Sequence, residues 1–293
     1  MAASDDYDIR PVGVDADTLS AVAGLFRMVW PKLVHLNTAY LRWLYAENPN
    51  GPVIGLNAWK HDVLAGHYVV IPIRASIHGE CVPAALSLNT AVHPEHQGRG
   101  LFTTLARGTY DLARQRGVHH IVGVANANST PGFMRKLDFH CVAPLTVRLL
   151  WRSPRIRRAR KPSASAWSRI WNEADLQWRL RNPSIRYTVR YGSACRTILS
   201  PTHIPGIHAI LKTDDMADCP PIANASLPAA RAMRLKLWMG LSSRIEFPSL
   251  GGFELPDRLK KSPLNLIIRY LCSDTPPVKP DDVEFEAVDF DAY

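Results

Sequence analysis

Residues 85–105, ALSLNTAVHPEHQGRGLFTTL, pass from an apolar strand through a proline-containing loop into a helix that opens on glycines, and this passage restricts the fold more than any other part of the chain. The strand ends at Val92, Gln97-Gly98-Arg99-Gly100 follows, and a helical pattern then runs over residues 100–116 until Gly117 offers a left-handed cap. Glycines at a helix start let successive backbone N–H groups crowd together and point outward, which makes a ready anion site. Arg99 adds a cation. The loop is not a P-loop, because GK[ST] is missing, and it does not fit GxGxxG with an acidic residue after a second strand. On its own a glycine loop at a helix start is more often a plain turn, so its surroundings carry the reading.

Upstream, Asp17 can cap a helix reaching Trp30, with Leu19, Val22, Leu25, Phe26 and Val29 at helical spacing and Pro31 as the stop. A second helix over 38–47 ends at the turn Asn48-Pro49-Asn50-Gly51. Three extended runs follow at 53–59, 63–76 and 81–92. The turns between them are short and polar, which predicts an antiparallel meander. Beyond the glycine loop come a strand over 119–124, a short helix over 131–137 and a strand over 139–150. An α/β unit therefore spans residues 1–150, and a basic, Pro-Ser-Ala-rich linker spans 151–170. The remainder, 171–293, repeats one feature of the first part: Tyr40-Leu41-Arg42-Trp43 with Asn48-Pro49 is echoed, one residue shorter, by Asp175-Leu176-Gln177-Trp178 with Asn182-Pro183. The echo points to duplication. Strands are expected near 185–200 and 207–212, a helix near 227–240, an extended run at 244–247 and an acidic tail over 281–293.

Of the 293 residues, 46% are hydrophobic, enough for a sizeable packed core. The net charge of +9 and pI near 9.5 invite a nucleic-acid reading. Six of the cations, however, fall in one run: Arg152, Arg155, Arg157, Arg158, Arg160 and Lys161. Without them the +9 drops to +3. The run lacks interleaved aromatics, so phosphates of small ligands explain the basic balance better than a polynucleotide. No segment approaches the roughly 20 apolar residues of a membrane span, and the first ten residues have no apolar stretch of a secretory signal. The five cysteines are scattered and never paired as CxxC, which speaks against a disulfide framework and a structural zinc site. A cytoplasmic setting without a metal is the expectation. His119 and His120, adjacent in a strand, are expected to face opposite ways.

The stretch from Val92-His93-Pro94 to Gln97-Gly98-Arg99-Gly100-Leu101 resembles the acyl-CoA motif of the GNAT superfamily of N-acyltransferases, with Phe102 in place of the final small residue. Asn126-Ala127-Asn128-Ser129 and Met134-Arg135-Lys136-Leu137-Asp138-Phe139 are similar to that family's second motif. The resemblance covers roughly residues 5–150. It implies a GNAT fold, a mixed and mainly antiparallel sheet flanked by helices, with a second, degenerate GNAT-like α/β domain after the linker. It also implies that the fourth strand splays from the fifth and pairs with pantetheine near Ala91 and Val92. The diphosphate would then lie on Gln97, Gly98, Arg99, Gly100, Leu101, Phe102 and Thr103, and Asn128 joins this cofactor-binding set. The family's usual tyrosine falls at Met134, which has no titratable proton, so another hydroxyl, or water with backbone dipoles, must serve the leaving thiolate.

Direct transfer of an acyl group to an amine needs a proton acceptor and a donor for the oxyanion. Strand alternation puts Ser87, Asn89, Ala91 and His93 on one face. His93 is a candidate base by its intrinsic pKa, the alternative being a solvated loop residue. His67 on the neighbouring strand is a second candidate, and Asn89 can orient the amine or a water. The wider pattern, including the closing DFDAY, resembles two-domain bacterial proteins that acylate nucleotide-linked amino sugars for surface polysaccharides. In that picture the second domain covers a bulky acceptor, and Arg179, Arg181, Arg186 and Arg190 could meet its diphosphate. The partners implied are acyl-CoA and a small-molecule amine, with no nucleic acid and room for a homodimer. The alternatives are the same chemistry on an antibiotic, a small metabolite or a protein, and a non-catalytic acyl-CoA-binding protein.

Overall fold

The computed structural model describes residues 6–157, 165–192, 195–217, 219, 222, 235–260, 262–272 and 275–290. Strand β1 (Asp8–Pro11) leads into α1 (Ala16–Val29), whose N-cap is Asp15 and not Asp17: the Asp15 carboxylate accepts from Thr18 N at 2.8 Å, leaving Asp17 in the first turn. Helix α2 (Thr38–Ala46) is capped by Asn37, which accepts from Tyr40 N at 3.0 Å. The meander β2 (Ile54–Lys60), β3 (Val63–Ile77) and β4 (Glu80–Val92) is antiparallel throughout. Its turns place His61, His78 and Gly79 at positive φ. Then come α3 (Leu101–Gln115), β5 (His120–Asn126), α4 (Thr130–Leu137), β6 (His140–Pro144) and β7 (Thr146–Leu150). One apolar cluster joins α1 and α2 to one face of this sheet through residues such as Phe26, Leu41, Val69, Ile71 and Leu86. A second joins α3 to the other face through Leu101, Leu105, Tyr110, Tyr68 and Ala85. The sheet is thus covered on both sides, as a mixed α/β core requires.

The second half contains β8 (Arg155–Ile156), β9 (Trp167–Arg169), α5 (Glu173–Leu180), β10 (Thr188–Tyr191), β11 (Cys195–Pro201), β12 (Ile207–Asp215), β13 (Leu235–Leu241), β14 (Ile245–Glu246), β15 (Gly252–Glu254), β16 (Leu264–Tyr270) and β17 (Val283–Glu286). Here β10, β11 and β12 form an antiparallel meander and β13 runs parallel to β12. That is the order of β2, β3, β4 and β5. The helices match as well: Asn172 caps α5 by accepting from Asp175 N, six residues before Trp178, as Asn37 lies six before Trp43. Trp43 and Trp178 stack at 4.9 Å with 16° between their planes. Each indole Nε1 donates to the other residue's carbonyl oxygen, at 2.8 and 3.0 Å. Such reciprocity is what a pseudo-twofold relation between two copies of one unit produces. A stacked aromatic pair adds about 0.5–1.5 kcal/mol beyond the area it buries.

The expected boundaries at 150 and 170 do not separate two sheets, because the halves exchange strands. Strand β16 inserts antiparallel between β5 and β6, completing the first sheet. Reciprocally, β7 inserts between β13 and β15 of the second. Leu145, buried between β6 and β7, is the point where one chain segment leaves the first sheet for the other. Strands β9 and β17 stitch the sheets together: β9 pairs with β3 and β17, and β17 with β13.

Three expectations are corrected here. Residues 235–240 of the expected helix 227–240 belong to the central strand β13, held between β12 and β7 on its two edges; residues 227–234 lie outside the described residues. The expected acidic tail over 281–293 is largely interior, with Val283, Phe285, Val288 and Phe290 buried; residues 291–293 are not described. Within the expected linker, Arg155 and Ile156 pair with β14 and β9 joins the main sheet, while residues 158–164, including Arg158, Arg160 and Lys161, are not described.

Candidate active site

Strands β4 and β5 pair in parallel from Ala84/His120 to Ser87/Gly123 and no further. Beyond that point β4 continues to Val92 and β5 to Asn126, so the two strands fork. The outer edge of β5 is taken by β16 along its whole length, which leaves only the edge facing the fork. A bulge accompanies the fork. Val69 pairs with Leu88 and His67 with Ala91, so Asn89 and Thr90 together oppose Tyr68 alone. Asn89 sits at φ 53°, a conformation that asparagine tolerates better than most side chains. The extra residue inverts the alternation of β4. Ser87 bonds to Tyr68 on the α3 face, whereas Ala91 packs with the α1/α2 cluster. The shared face expected for Ser87, Asn89, Ala91 and His93 therefore does not exist.

On the α1/α2 side a polar chain runs inward from the bulge. Asn89 Nδ2 donates to Tyr45 Oη (3.2 Å), Tyr45 Oη contacts His67 Nε2 (2.9 Å), and His67 Nδ1 contacts Asn57 Oδ1 (2.6 Å). A carbonyl oxygen can only accept, so His67 carries its proton on Nδ1 and Tyr45 donates to Nε2. Tyr45, Asn57 and His67 are all buried. Burial lowers the His67 pKa to about 3 and raises that of Tyr45. His67 is thus neutral at physiological pH, with both ring nitrogens engaged and 0% exposure, and it has no route to a substrate amine. Its role is to anchor Tyr45, which anchors Asn89.

His93 ends β4. Its backbone N–H donates to Ala65 O (2.9 Å), and its Nδ1 accepts from Glu95 N (3.2 Å), capping the short 3-10 turn Pro94–His96. Among the described residues Nε2 has no hydrogen-bond partner, so this atom remains available to a substrate. His67 and His93 are not brought together.

The loop that follows is built as an anion cradle. Gly98 and Gly100 sit at φ 76° and 79°, and a Cβ at either would meet nothing within 4 Å. Gly100 is the N-cap of α3 without any side-chain cap, and the first helical bond is Thr104 N to Gly100 O (3.1 Å). The N–H groups of Leu101, Phe102 and Thr103 therefore have no partner within the helix. Arg99 is exposed beside them. Gln97 Nε2 donates to Val92 O (3.3 Å), so this side chain ties the loop to the end of β4. The Leu101 side chain is buried, leaving its amide as the available group, and the Phe102 ring packs edge-on against Tyr68 and Phe133. Asn128 is exposed, and its N–H donates to Asn126 Oδ1, which also receives Ser129 N, so Asn126 shapes the turn before α4.

Met134 stands exposed on α4. Beneath the fork lie hydroxyls that sequence reasoning passed over: Tyr68 Oη contacts Ser87 Oγ (2.8 Å) and Tyr110 Oη (2.7 Å). Desolvation pushes Tyr68 up to about 12, so it stays protonated at neutral pH. A polar residue at an inward strand position, as at Asn57 and Tyr68, was the available signal. His119 and His120 turn toward each other instead of apart, Nδ1 to Nδ1 at 3.1 Å, because the strand begins only at His120. His120 Nε2 accepts from Trp167 Nε1 (2.8 Å) and His119 Nε2 contacts Thr275 Oγ1, so both serve the packing of the halves. Arg179, one of the four arginines considered for a diphosphate, is buried against the Trp43 ring. Among the described residues no His/Cys/Asp/Glu group is arranged to hold a metal ion, and no helix is long and apolar enough to cross a membrane.

Residues 13–142 match the family model of the acetyltransferase (GNAT) domain. No functionally curated protein matches the chain in sequence. Among solved structures, a conserved protein of unknown function from Enterococcus faecalis V583 superposes with a TM-score of 0.60 at 13% identity, covering 90% of this chain and 73% of that one. A GCN5-related N-acetyltransferase from Anabaena variabilis gives 0.58 at 11% identity over the same shares. The N-myristoyltransferase of Saccharomyces cerevisiae with bound myristoyl-CoA gives 0.56 at 12% identity, over 94% of this chain and 84% of that one. At these identities the likeness speaks for the fold.

Proposed function

Because the chain carries a GNAT acetyltransferase domain over residues 13–142, we propose that it moves an acyl group from acyl-CoA to the amine of a nucleotide-linked amino sugar. The observation that carries acyl-CoA binding is the open fork of β4 and β5, which lies directly before the uncapped glycine loop. Pantetheine takes the free edge of β4 near Ala91 and Val92, and the diphosphate takes the amides of residues 98–103 with Arg99. That a relative in fold was solved with myristoyl-CoA bound supports acyl-CoA as the donor. The acceptor reading draws on the second half, which packs on the first through the Trp43–Trp178 pair, and on the exposed Arg181 beside that pair.

In the proposed reaction the amine nitrogen attacks the thioester carbon, the C–S bond breaks, and CoA leaves as thiolate. His93 Nε2 first takes a proton from the substrate ammonium, which frees the nitrogen lone pair for the attack. Asn89, fixed by Tyr45, orients the amine, and a backbone N–H at the bulge stabilises the oxyanion. Met134 has no proton to give, so Ser87 at the fork, or water, protonates the thiolate.

Thiol release from acetyl-CoA and longer acyl-CoAs, measured with dTDP- and UDP-amino sugars and with free amines, tests this. Turnover with a nucleotide amino sugar is the expected result. Turnover with free amines alone transfers the reading to another acceptor, and retained CoA binding without any turnover favours the non-catalytic reading that Met134 motivates.

A further inference from the structure

The described part of the basic run, residues 152–157, has no place in the acyl-transfer site, and it lies beside a bare apolar turn. Arg152, Arg155 and Arg157 are exposed. Arg155 and Ile156 pair with Glu246 and Ile245, and Arg157 N donates to Arg244 O (2.7 Å), so the run lies alongside the segment that leads into the turn 248–251. Arg152 flanks that turn directly: a Cβ placed on Gly251 would come within 3.1 Å of Arg152 Cβ. At the tip Leu250 is 81% exposed, more than any other large apolar side chain among the described residues, and Trp151 and Phe253 are 47% and 44% exposed. The Trp151 and Phe253 rings lie 6.4 Å apart. A single apolar residue at a surface is ordinary, but three side by side mark a contact surface.

The turn is built to leave water. Trp151 Nε1 donates to Leu250 O (2.8 Å), so the indole carries no unmet donor. Trp151 N and Arg152 N both donate to Gly251 O (3.0 and 3.1 Å), Gly251 N donates to Pro248 O (2.8 Å), and Pro248 has no N–H. The N–H groups of Ser249 and Leu250, without a partner among the described residues, remain for a phosphate oxygen. A hydrocarbon boundary demands such internal pairing, because lipid tails offer neither donors nor acceptors. A protein or nucleic-acid partner brings its own and makes no such demand, and Leu250 has no ring on which a base stacks. Charge sets the kind of lipid. Residues 148–161 and 244–258 together hold nine Lys/Arg against Glu246, Glu254 and Asp257, a difference of +6. Of these acids Glu254 is held by Arg148 (3.5 Å) and Glu246 lies opposite Arg155. From other elements, Arg190 at Ser153 Oγ (3.5 Å) offsets Glu284 at Arg244 N (3.2 Å), and Asp281, which shares a cavity wall with Arg157, lowers the +6 to +5. The surface that suits this excess is anionic.

We propose that the turn 248–251, with Trp151, Phe253 and the basic run beside it, docks the protein on an anionic phospholipid bilayer. Leu250 enters the acyl-chain boundary, the two rings sit at the headgroup level, and the guanidinium groups of Arg152, Arg155 and Arg157 meet lipid phosphates. The proposal is independent of the acyl-transfer reading, because none of these residues belongs to the open fork or the glycine loop. Co-sedimentation of the full chain with phosphatidylglycerol/phosphatidylcholine vesicles tests it, with pure phosphatidylcholine vesicles as the reference. Binding to the anionic vesicles that weakens with added salt is expected, reduced about tenfold or more in Leu250→Ser and about 30-fold in the double variant Arg152→Gln/Arg155→Gln. Lipids brominated in the acyl chain should quench tryptophan emission in the wild type, and less in Trp151→Phe. These are exposed positions, so an unchanged melting temperature is expected in each variant. No binding to anionic vesicles overturns the proposal. So does equal binding to pure phosphatidylcholine, or binding unchanged in Leu250→Ser. Retention of single-stranded RNA without vesicle binding would assign the surface to nucleic acid, and a dimer that Leu250→Ser dissociates, with vesicles left unbound, would assign it to a second copy; either result also overturns it.

Discussion

The two halves of the chain build the same fork and finish it differently. In the first, β4 and β5 separate after Ser87/Gly123 and no described strand enters, while a glycine loop with amides unpartnered within its helix stands at the end of β4. In the second, β12 and β13 separate after Ile210/Trp238 and β17 closes in, the carboxyl group of its Glu286 accepting from the Thr213 amide. Among the described residues the first fork holds no inserted strand, whereas the second has β17 paired to one of its two sides. The difference teaches that the same strand geometry can be left open in one half and partly occupied by the chain's own C-terminal segment in the other.

The comparison can be broken at several points. Trp43 and Trp178 hold the copies face to face, so Trp178→Ala should destabilise the whole chain by about 3–5 kcal/mol; chemical denaturation with a single shared transition is expected, and an unchanged midpoint would show that the halves are held elsewhere. Gly100→Val should weaken CoA binding by about 100-fold or more in calorimetry while the fold survives, because the left-handed φ resists a branched side chain but the Cβ meets open space. Unchanged CoA affinity would sink the loop assignment.

The pH dependence of stability separates the halves. Glu286 has a folded pKa of about 8, above its unfolded value of 4.5, so the folded state keeps a proton that the unfolded chain releases in that interval. Its contribution is complete below 4.5 and is lost as pH rises to about 8. His67 and His120, with folded values near 3 against 6.5, behave oppositely: their contribution is complete above 6.5 and is lost as pH falls toward 3. Melting temperatures should therefore fall on both sides of mildly acidic pH, and Glu286→Gln should remove the fall between 6.5 and 8, where these two histidines no longer contribute. The smallest effect expected is that of Tyr45→Phe, which removes the hydroxyl between Asn89 and His67. A loss of about five- to tenfold in kcat with KM nearly unchanged would fit a positioning role, and rates equal to wild type would detach Asn89 from catalysis.

Local patterns made much of the first half legible. The apolar spacing of α1, the short turns of the meander and the Gln97–Gly100 loop each depend on neighbours a few residues away. The Trp43/Trp178 echo was visible as letters, but its reciprocal hydrogen bonds needed two segments 135 residues apart. What stayed hidden depends on partners distant in sequence. Residues 235–241 are a strand because β12 and β7 flank them, and Val283–Glu286 is interior because a second fork awaits it. The bulge at Asn89 was invisible as well, and with it the inversion that puts Ser87 and Ala91 on opposite faces. His67 looked like a base because residue type suggests pKa, whereas burial between Tyr45 and Asn57 decides it.

The exchange of β7 and β16 also sets an order of events during synthesis. The edge of β5 beyond His120–Asn126 finds its partner only when residues 264–270 have been made. At roughly 5–20 residues per second, that leaves the edge uncovered for on the order of ten seconds on the ribosome. A nascent chain in this state presents an open, apolar strand edge, the kind that other chains pair with. The strand exchange that interlocks the two halves thus makes the first half dependent on the last part of the message for protection from aggregation.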